Sequence, residues 1–128
     1  MIYVDTSVLL AWLLAEDRTP PDLFWEEALV SSRLIEYEVW TRIHARRLQE
    51  SHGETARAIL GRLAMAELSP PVLARALESF PMPVRTLDAI HLASMLFLRE
   101  RDSSLTVATY DERMGRAARK LKLRVTVP

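Results

Sequence analysis

After Met1 the chain runs Ile2-Tyr3-Val4-Asp5-Thr6-Ser7-Val8-Leu9-Leu10-Ala11-Trp12-Leu13-Leu14-Ala15, and this stretch decides the fold. Ile2-Tyr3-Val4 is a short β-favouring run that stops at an acid. Thr6 or Ser7 is expected to cap a helix through Val8–Ala15. A strand thus turns at Asp5 directly into a helix, and the same grammar recurs downstream. After the loop Arg18-Thr19-Pro20-Pro21 comes a short helix over 22–27. Ala28-Leu29-Val30-Ser31 reads as a second strand, and Ser32 as the cap of a long helix over 33–49. Ser51-His52-Gly53 is expected to break the chain before a helix over 54–66. A minor strand at 67–69 and a short helix over 72–79 follow, with Pro81 and Pro83 ending the latter. Thr86 starts a helix to about Glu100 whose apolar residues fall nearly all round it, predicting deep burial. Leu105–Thr109 is a strand, 111–121 a helix and Arg124–Val127 a last strand. Strands alternating with helices predict an α/β fold: a three-layer α/β/α arrangement around a central, mostly parallel sheet of about five strands, with residues 1–128 as one domain.

Composition narrows the classes. The 128 residues are 49% hydrophobic and contain no Cys, which excludes disulfides and thiolate metal sites. No apolar run reaches the roughly 18–20 residues of a membrane span. Val8–Ala15 is too short, and Asp5 precedes it where a secretory leader carries Lys or Arg. A soluble, cytoplasmic protein is expected. Net charge is zero, so overall charge makes no case for nucleic acid. The distribution is uneven, with a basic tail of Arg113, Arg116, Arg119, Lys120, Lys122 and Arg124.

Four acids fall where such a sheet presents its ligands, beyond the carboxyl ends of the strands. Asp5 follows the first strand, and Asp111 the fourth. Glu38 lies in the first two turns of the helix after the second strand, and Asp88 in the first turn of the apolar helix. Each acid has a plain structural reading. Asp5 suits a turn, Asp111 an N-cap, Asp88 a helix N-terminus, and Glu38 can pair with Arg42. Together they suggest more. Clustered carboxylates repel one another, and no Lys or His is placed in sequence to neutralise them all. A divalent cation would, and oxygen-only ligands point to Mg²⁺ or Mn²⁺ rather than zinc.

Four stretches carry a resemblance: Tyr3-Val4-Asp5-Thr6-Ser7, Ser32-Arg33-Leu34-Ile35-Glu36-Tyr37-Glu38-Val39, Arg85-Thr86-Leu87-Asp88-Ala89-Ile90-His91-Leu92-Ala93 and Thr109-Tyr110-Asp111-Glu112-Arg113. In this order they resemble the PIN-domain family, and within it the VapC-type toxins of toxin–antitoxin pairs. The resemblance implies a metal-dependent endoribonuclease that hydrolyses RNA phosphodiesters with metal-activated water, its four acids mapping onto Asp5, Glu38, Asp88 and Asp111. Glu36 and Glu38 stand about 200° apart on a helix, so only one faces the site. The family's Ser-x-Leu-x-x-x-Glu spacing selects Glu38. A cognate antitoxin that supplies DNA binding, and a homodimer, are implied in the same way.

Around this set, Thr6, Ser7 and Thr109 are candidates to hydrogen-bond the ligating carboxylates. Arg42, Arg46, Arg113 and Arg116 are candidates to hold the RNA backbone, against the alternative of ordinary charged helix faces. His91 is read as a buried structural histidine rather than a ligand, and His44 and His52 as surface residues. Trp12, Phe24 and Trp25 are either core or the lining of a groove for a partner helix.

Rival readings fit less well. A haloacid-dehalogenase-type phosphatase needs a second Asp where Ser7 stands. A phosphoacceptor signalling domain wants an acidic pair after its first strand. A non-catalytic binding module on the same fold, and an RNA-processing nuclease outside toxin–antitoxin systems, remain the alternatives.

Overall fold

A computed structural model describes residues 1–128. Five strands, β1 (Ile2–Val4), β2 (Leu29–Ser32), β3 (Ala64–Ala66), β4 (Thr106–Ala108) and β5 (Arg124–Thr126), form one sheet in the order β3-β2-β1-β4-β5. Every neighbouring pair is parallel, with Tyr3 opposite Val30 on one side and Val107 on the other. The helices are α1 (Thr6–Leu13), α2 (Leu34–Ala45), α3 (Gln49–Leu60), α4 (Pro70–Ala76), α5 (Thr86–Arg101) and α6 (Glu112–Lys120).

Strand alternation explains why helices cover both faces. Successive side chains of a strand point to opposite sides. Val4, Leu29 and Ala108 pack into one core with Leu9 of α1, Ile35 and Val39 of α2 and Ile59 of α3. Their chain neighbours Tyr3, Val30 and Val107 pack into another with Leu92 and Met95 of α5 and Met114 and Ala118 of α6. Both faces of the sheet are covered, which is why the central strands are mostly apolar; Ser31 and Ser32 of β2 are buried exceptions, with Ser31 Oγ donating to the Val4 carbonyl at 2.7 Å. Phe24 and Trp25 are buried in the first core, and Trp12 is half-buried against it. No helix is long and apolar enough to cross a membrane.

Several local expectations shift. Ser51-His52-Gly53 does not break the chain; it lies inside α3. The break comes earlier, at Arg47, whose left-handed backbone (φ 54°) reverses the chain after α2, while Leu48 N–H closes back on the Ile43 carbonyl. Gly53 is buried in α3 beside Trp40, where a Cβ would stand 3.5 Å from the ring, an ordinary van der Waals contact. The third strand is Ala64–Ala66 rather than 67–69. Its residues carry little β preference, and pairing with β2 selects them. The segment after Pro21 is a 3₁₀ turn, Asp22–Glu26. Helix α5 is not buried all round: Leu87 is exposed and Leu96–Leu98 are half-buried. His44 is exposed, whereas His52 is half-buried against Ser51.

Candidate active site

Asp5 is the residue at which β1 becomes α1. Its extended backbone (φ −72°, ψ 148°) makes it the N-cap position, so neither Thr6 nor Ser7 caps the helix. Both already lie within the first turn, and their hydroxyls are free to bind acids. Asp5 is itself buried, and a buried carboxylate needs donors. Ser7 Oγ donates to Asp5 Oδ2 at 2.6 Å and Thr109 Oγ1 to the same oxygen at 2.8 Å. Thr109, just beyond β4, also accepts the Asp111 backbone N–H at 3.0 Å, and Ser7 Oγ accepts that of Tyr110 at 3.0 Å. Two hydroxyls and two backbone amides thus lace the ends of β1 and β4 together around one carboxylate.

Asp111 is the N-cap of α6. Its Oδ1 accepts the backbone N–H groups of Arg113 (2.9 Å) and Met114 (3.2 Å). That is the plain structural role, and it occupies only one of the two oxygens. Glu38 sits in the second turn of α2, where Ser32 Oγ receives the Leu34 N–H at 3.1 Å and fixes the start of the helix. Glu38 Oε1 accepts from Thr6 Oγ1 at 2.9 Å and pairs with His91 Nε2 at 2.5 Å. Asp88, in the first turn of α5, is half-buried. Burial, and then the charges of Asp111 and Asp5, raise its carboxyl above the usual range, while His91 and the Arg85 backbone N–H pull the other way. Burial works against a charged His91, but Glu38, with Asp5 and Asp88 behind it, outweighs burial and raises the ring above its ordinary value.

The four acids line one cleft of about 490 Å³ together with Thr6, Ser7, His91 and Arg42. No three of them already close into a cation cage. Their chemistry nevertheless fits a hard divalent ion. All donors are carboxylate oxygens, and Asp5, Glu38 and Asp111 each have one oxygen held by protein donors and one that no protein group engages. Glu36 lies elsewhere, in a separate cleft, paired with Arg33 at 2.7 Å.

Of the basic candidates, Arg42 lines the acid cleft and Arg46 is exposed at the far end of α2. Arg113 borders a small groove beside Asp88. Arg116 borders an adjoining cleft of about 290 Å³ that shares Asp111 and also holds Arg18 and Arg119. Sequence reasoning missed Arg18, which reaches the site through the Tyr110 carbonyl (3.3 Å) and ring. It also missed Tyr3, whose hydroxyl meets His91. Only the spacing of Asp88 and His91, three apart on one helix face, hinted that the histidine belongs here.

Comparison with known proteins agrees with this geometry. The PIN domain family matches residues 2–120. Ribonuclease VapC47 of Mycobacterium tuberculosis is 33% identical, over 94% of this chain and 92% of its own length. Ribonuclease VapC35 of the same organism is 32% identical, over 99% and 87%. Among solved structures, a toxin-antitoxin complex from Klebsiella pneumoniae shares the fold with a TM-score of 0.66, at 17% identity, over 100% of this chain and 98% of that one. A five-stranded parallel sheet with acids at its carboxyl edge, matched along nearly its whole length, places this chain in the PIN-domain family, among the VapC ribonucleases.

Proposed function

We propose that this chain is an endoribonuclease of the VapC toxin type, dependent on Mg²⁺ or Mn²⁺, with Asp5, Glu38, Asp88 and Asp111 as its acid set. One observation carries the reading: acids from opposite ends of the chain line a single cleft, and three of them keep one oxygen unengaged. Asp5, Asp88 and Asp111 would hold the cation, with Glu38 as a further ligand or as the group that orients water. When bound, the cation neutralises the carboxylates and the scissile phosphate and acidifies water. The chain's own residues do the rest. Ser7 and Thr109 hold Asp5 in place, Thr6 holds Glu38, and backbone amides hold Asp111. Arg42, in the same cleft, offers its guanidinium to the RNA backbone.

The 128 residues act as one nuclease domain. Its partners are RNA and a cognate antitoxin, with DNA contacted only through the antitoxin. The working form is a homodimer in the cytoplasm. The test is cleavage of a structured RNA pool by purified protein with Mg²⁺, with Mn²⁺ and with EDTA, beside Asp88→Asn. Cleavage that needs the ion and disappears in the variant is expected. Equal cleavage with EDTA, or by Asp88→Asn, would overturn the assignment.

A further inference from the structure

Two buried polar side chains, Tyr3 and His91, have no part in the scheme so far. Tyr3 is fully buried on β1, and its hydroxyl accepts the Ser32 backbone N–H at 3.3 Å and stands 2.6 Å from His91 Nδ1. The two rings meet edge to face, 6.0 Å between centroids and 89° between planes. His91 is 1% exposed. Its other nitrogen, Nε2, faces Glu38 Oε1 at 2.5 Å. An ionised carboxylate only accepts, so Nε2 carries the hydrogen in that bond, and Nδ1 is left to pair with the Tyr3 hydroxyl. A continuous line of hydrogen bonds therefore runs from the end of β2, through the core, to a carboxylate at the cleft.

Glutamate is a long side chain with three torsions, and an exposed one samples many rotamers. Here Oε1 is gripped from two directions, by Thr6 of α1 and His91 of α5. Turning the carboxylate would break both bonds and leave a ring nitrogen buried without a partner, which is costly. Oε2 meets no protein donor.

We propose that Tyr3 and His91 are positioning residues. Tyr3 fixes the His91 ring, and the His91 Nε2–H locks Glu38 Oε1 so that Oε2 is presented to the cleft. Its rate readout rests on the nuclease reading above; its other readouts need no RNA.

The experiment uses the full chain. Long-range ¹H–¹⁵N correlation on ¹⁵N-labelled protein reads which His91 nitrogen is protonated. A hydrogen on Nε2 is expected, and a ring protonated on Nδ1 alone would overturn the proposal. Mn²⁺ affinity, read by electron paramagnetic resonance without RNA, is compared for wild type, Tyr3→Phe, His91→Leu and His91→Gln. His91→Leu is expected to lose about 10–100-fold in affinity, the usual effect of removing a ligand's hydrogen-bond partner, and Tyr3→Phe a smaller but measurable part of it, since Tyr3 acts through the ring. His91→Gln, which restores an N–H donor, should recover part of it. In RNA cleavage, kcat should fall with KM unchanged, since the contact orients a reacting group rather than binding substrate. Folded Tyr3→Phe with wild-type Mn²⁺ affinity would reduce the pair to core packing and overturn the proposal, even if His91→Leu fails to fold. Wild type that binds Mn²⁺ but leaves RNA intact, with affinity still lost in Tyr3→Phe, would remove the nuclease reading and keep the positioning role.

Discussion

The Thr109 hydroxyl donates to Asp5 Oδ2 at 2.8 Å although 104 residues separate them, and the same oxygen of Thr109 accepts the Asp111 backbone N–H. One small side chain thereby sets the first acid against the fourth. Thr109→Val keeps the volume and removes both bonds. It is expected to cost about 1–3 kcal/mol, the penalty for stranding buried polar groups, and to weaken Mn²⁺ binding about 10–100-fold. Urea denaturation and metal titration check this, with Thr109→Ser recovering most of both losses.

Asp88 is expected to limit the stability of the metal-free protein. Its folded-state carboxyl sits above the usual range, so its contribution to stability is present in acid and lost as pH rises through the folded value. Asp88→Asn removes the disfavoured charge. In EDTA near neutral pH the variant should melt slightly above wild type, with the gap closing in acid. Added Mg²⁺ should reverse the order, because wild type gains a ligand-bound state that the variant has lost. A variant melting below wild type in EDTA would contradict the electrostatic account.

Gly53 gives a prediction of the opposite kind. It lies in the interior of α3 with ordinary helical backbone, and an added Cβ would make normal van der Waals contact with Trp40 at 3.5 Å. Gly53→Ala should therefore stabilise the fold by about 0.5–1 kcal/mol through helix propensity. Larger side chains would collide with the indole and reverse the sign. A shift in the denaturation midpoint reads either result.

Arg116 sits in the cleft that adjoins the acids through Asp111, beside Arg18 and Arg119, and none of the three is paired with an acid. Arg116→Ala should weaken RNA binding similarly across sequences. It should also lower the slope of log affinity against log salt by about one, as expected for a single phosphate contact. Filter binding across a salt series measures both. An unchanged slope would return Arg116 to the role of a solvated helix residue.

The sheet was legible because its central strands are short apolar, β-favouring runs between helices, buried on both faces. Tyr3 and Val4, Leu29 and Val30, Val107 and Ala108 each send neighbours into different cores, and apolar runs that end in Asp5 or lead towards Asp111 mark the edge where the acids gather. Helix geometry told only that Glu36 and Glu38 could not both face the site; the spacing of the family it resembles picked out Glu38. The network around the acids was not legible. Thr6 meets Glu38 across 32 residues, and Tyr3 meets His91 across 88, and no local pattern encodes such pairs. Tyr3 reads as one more apolar strand residue until its hydroxyl is placed. Local errors had local causes. Gly53 looked like a helix stop because glycine often is one, whereas Arg47 adopts the left-handed turn that glycine usually supplies. Ala64-Met65-Ala66 looked like helix because only the edge of β2 makes it a strand.

The sheet order has a consequence for how the protein is made. β1 to β3 lie on one side of the β1–β4 junction, and β4 and β5 on the other. Asp5 and Glu38 are encoded before that division, and Asp88 and Asp111 after it. A message cut anywhere between the codons for Ala66 and Thr86 therefore encodes Asp5 and Glu38 but none of the cleft residues from α5 onward, Asp88, His91 and Asp111.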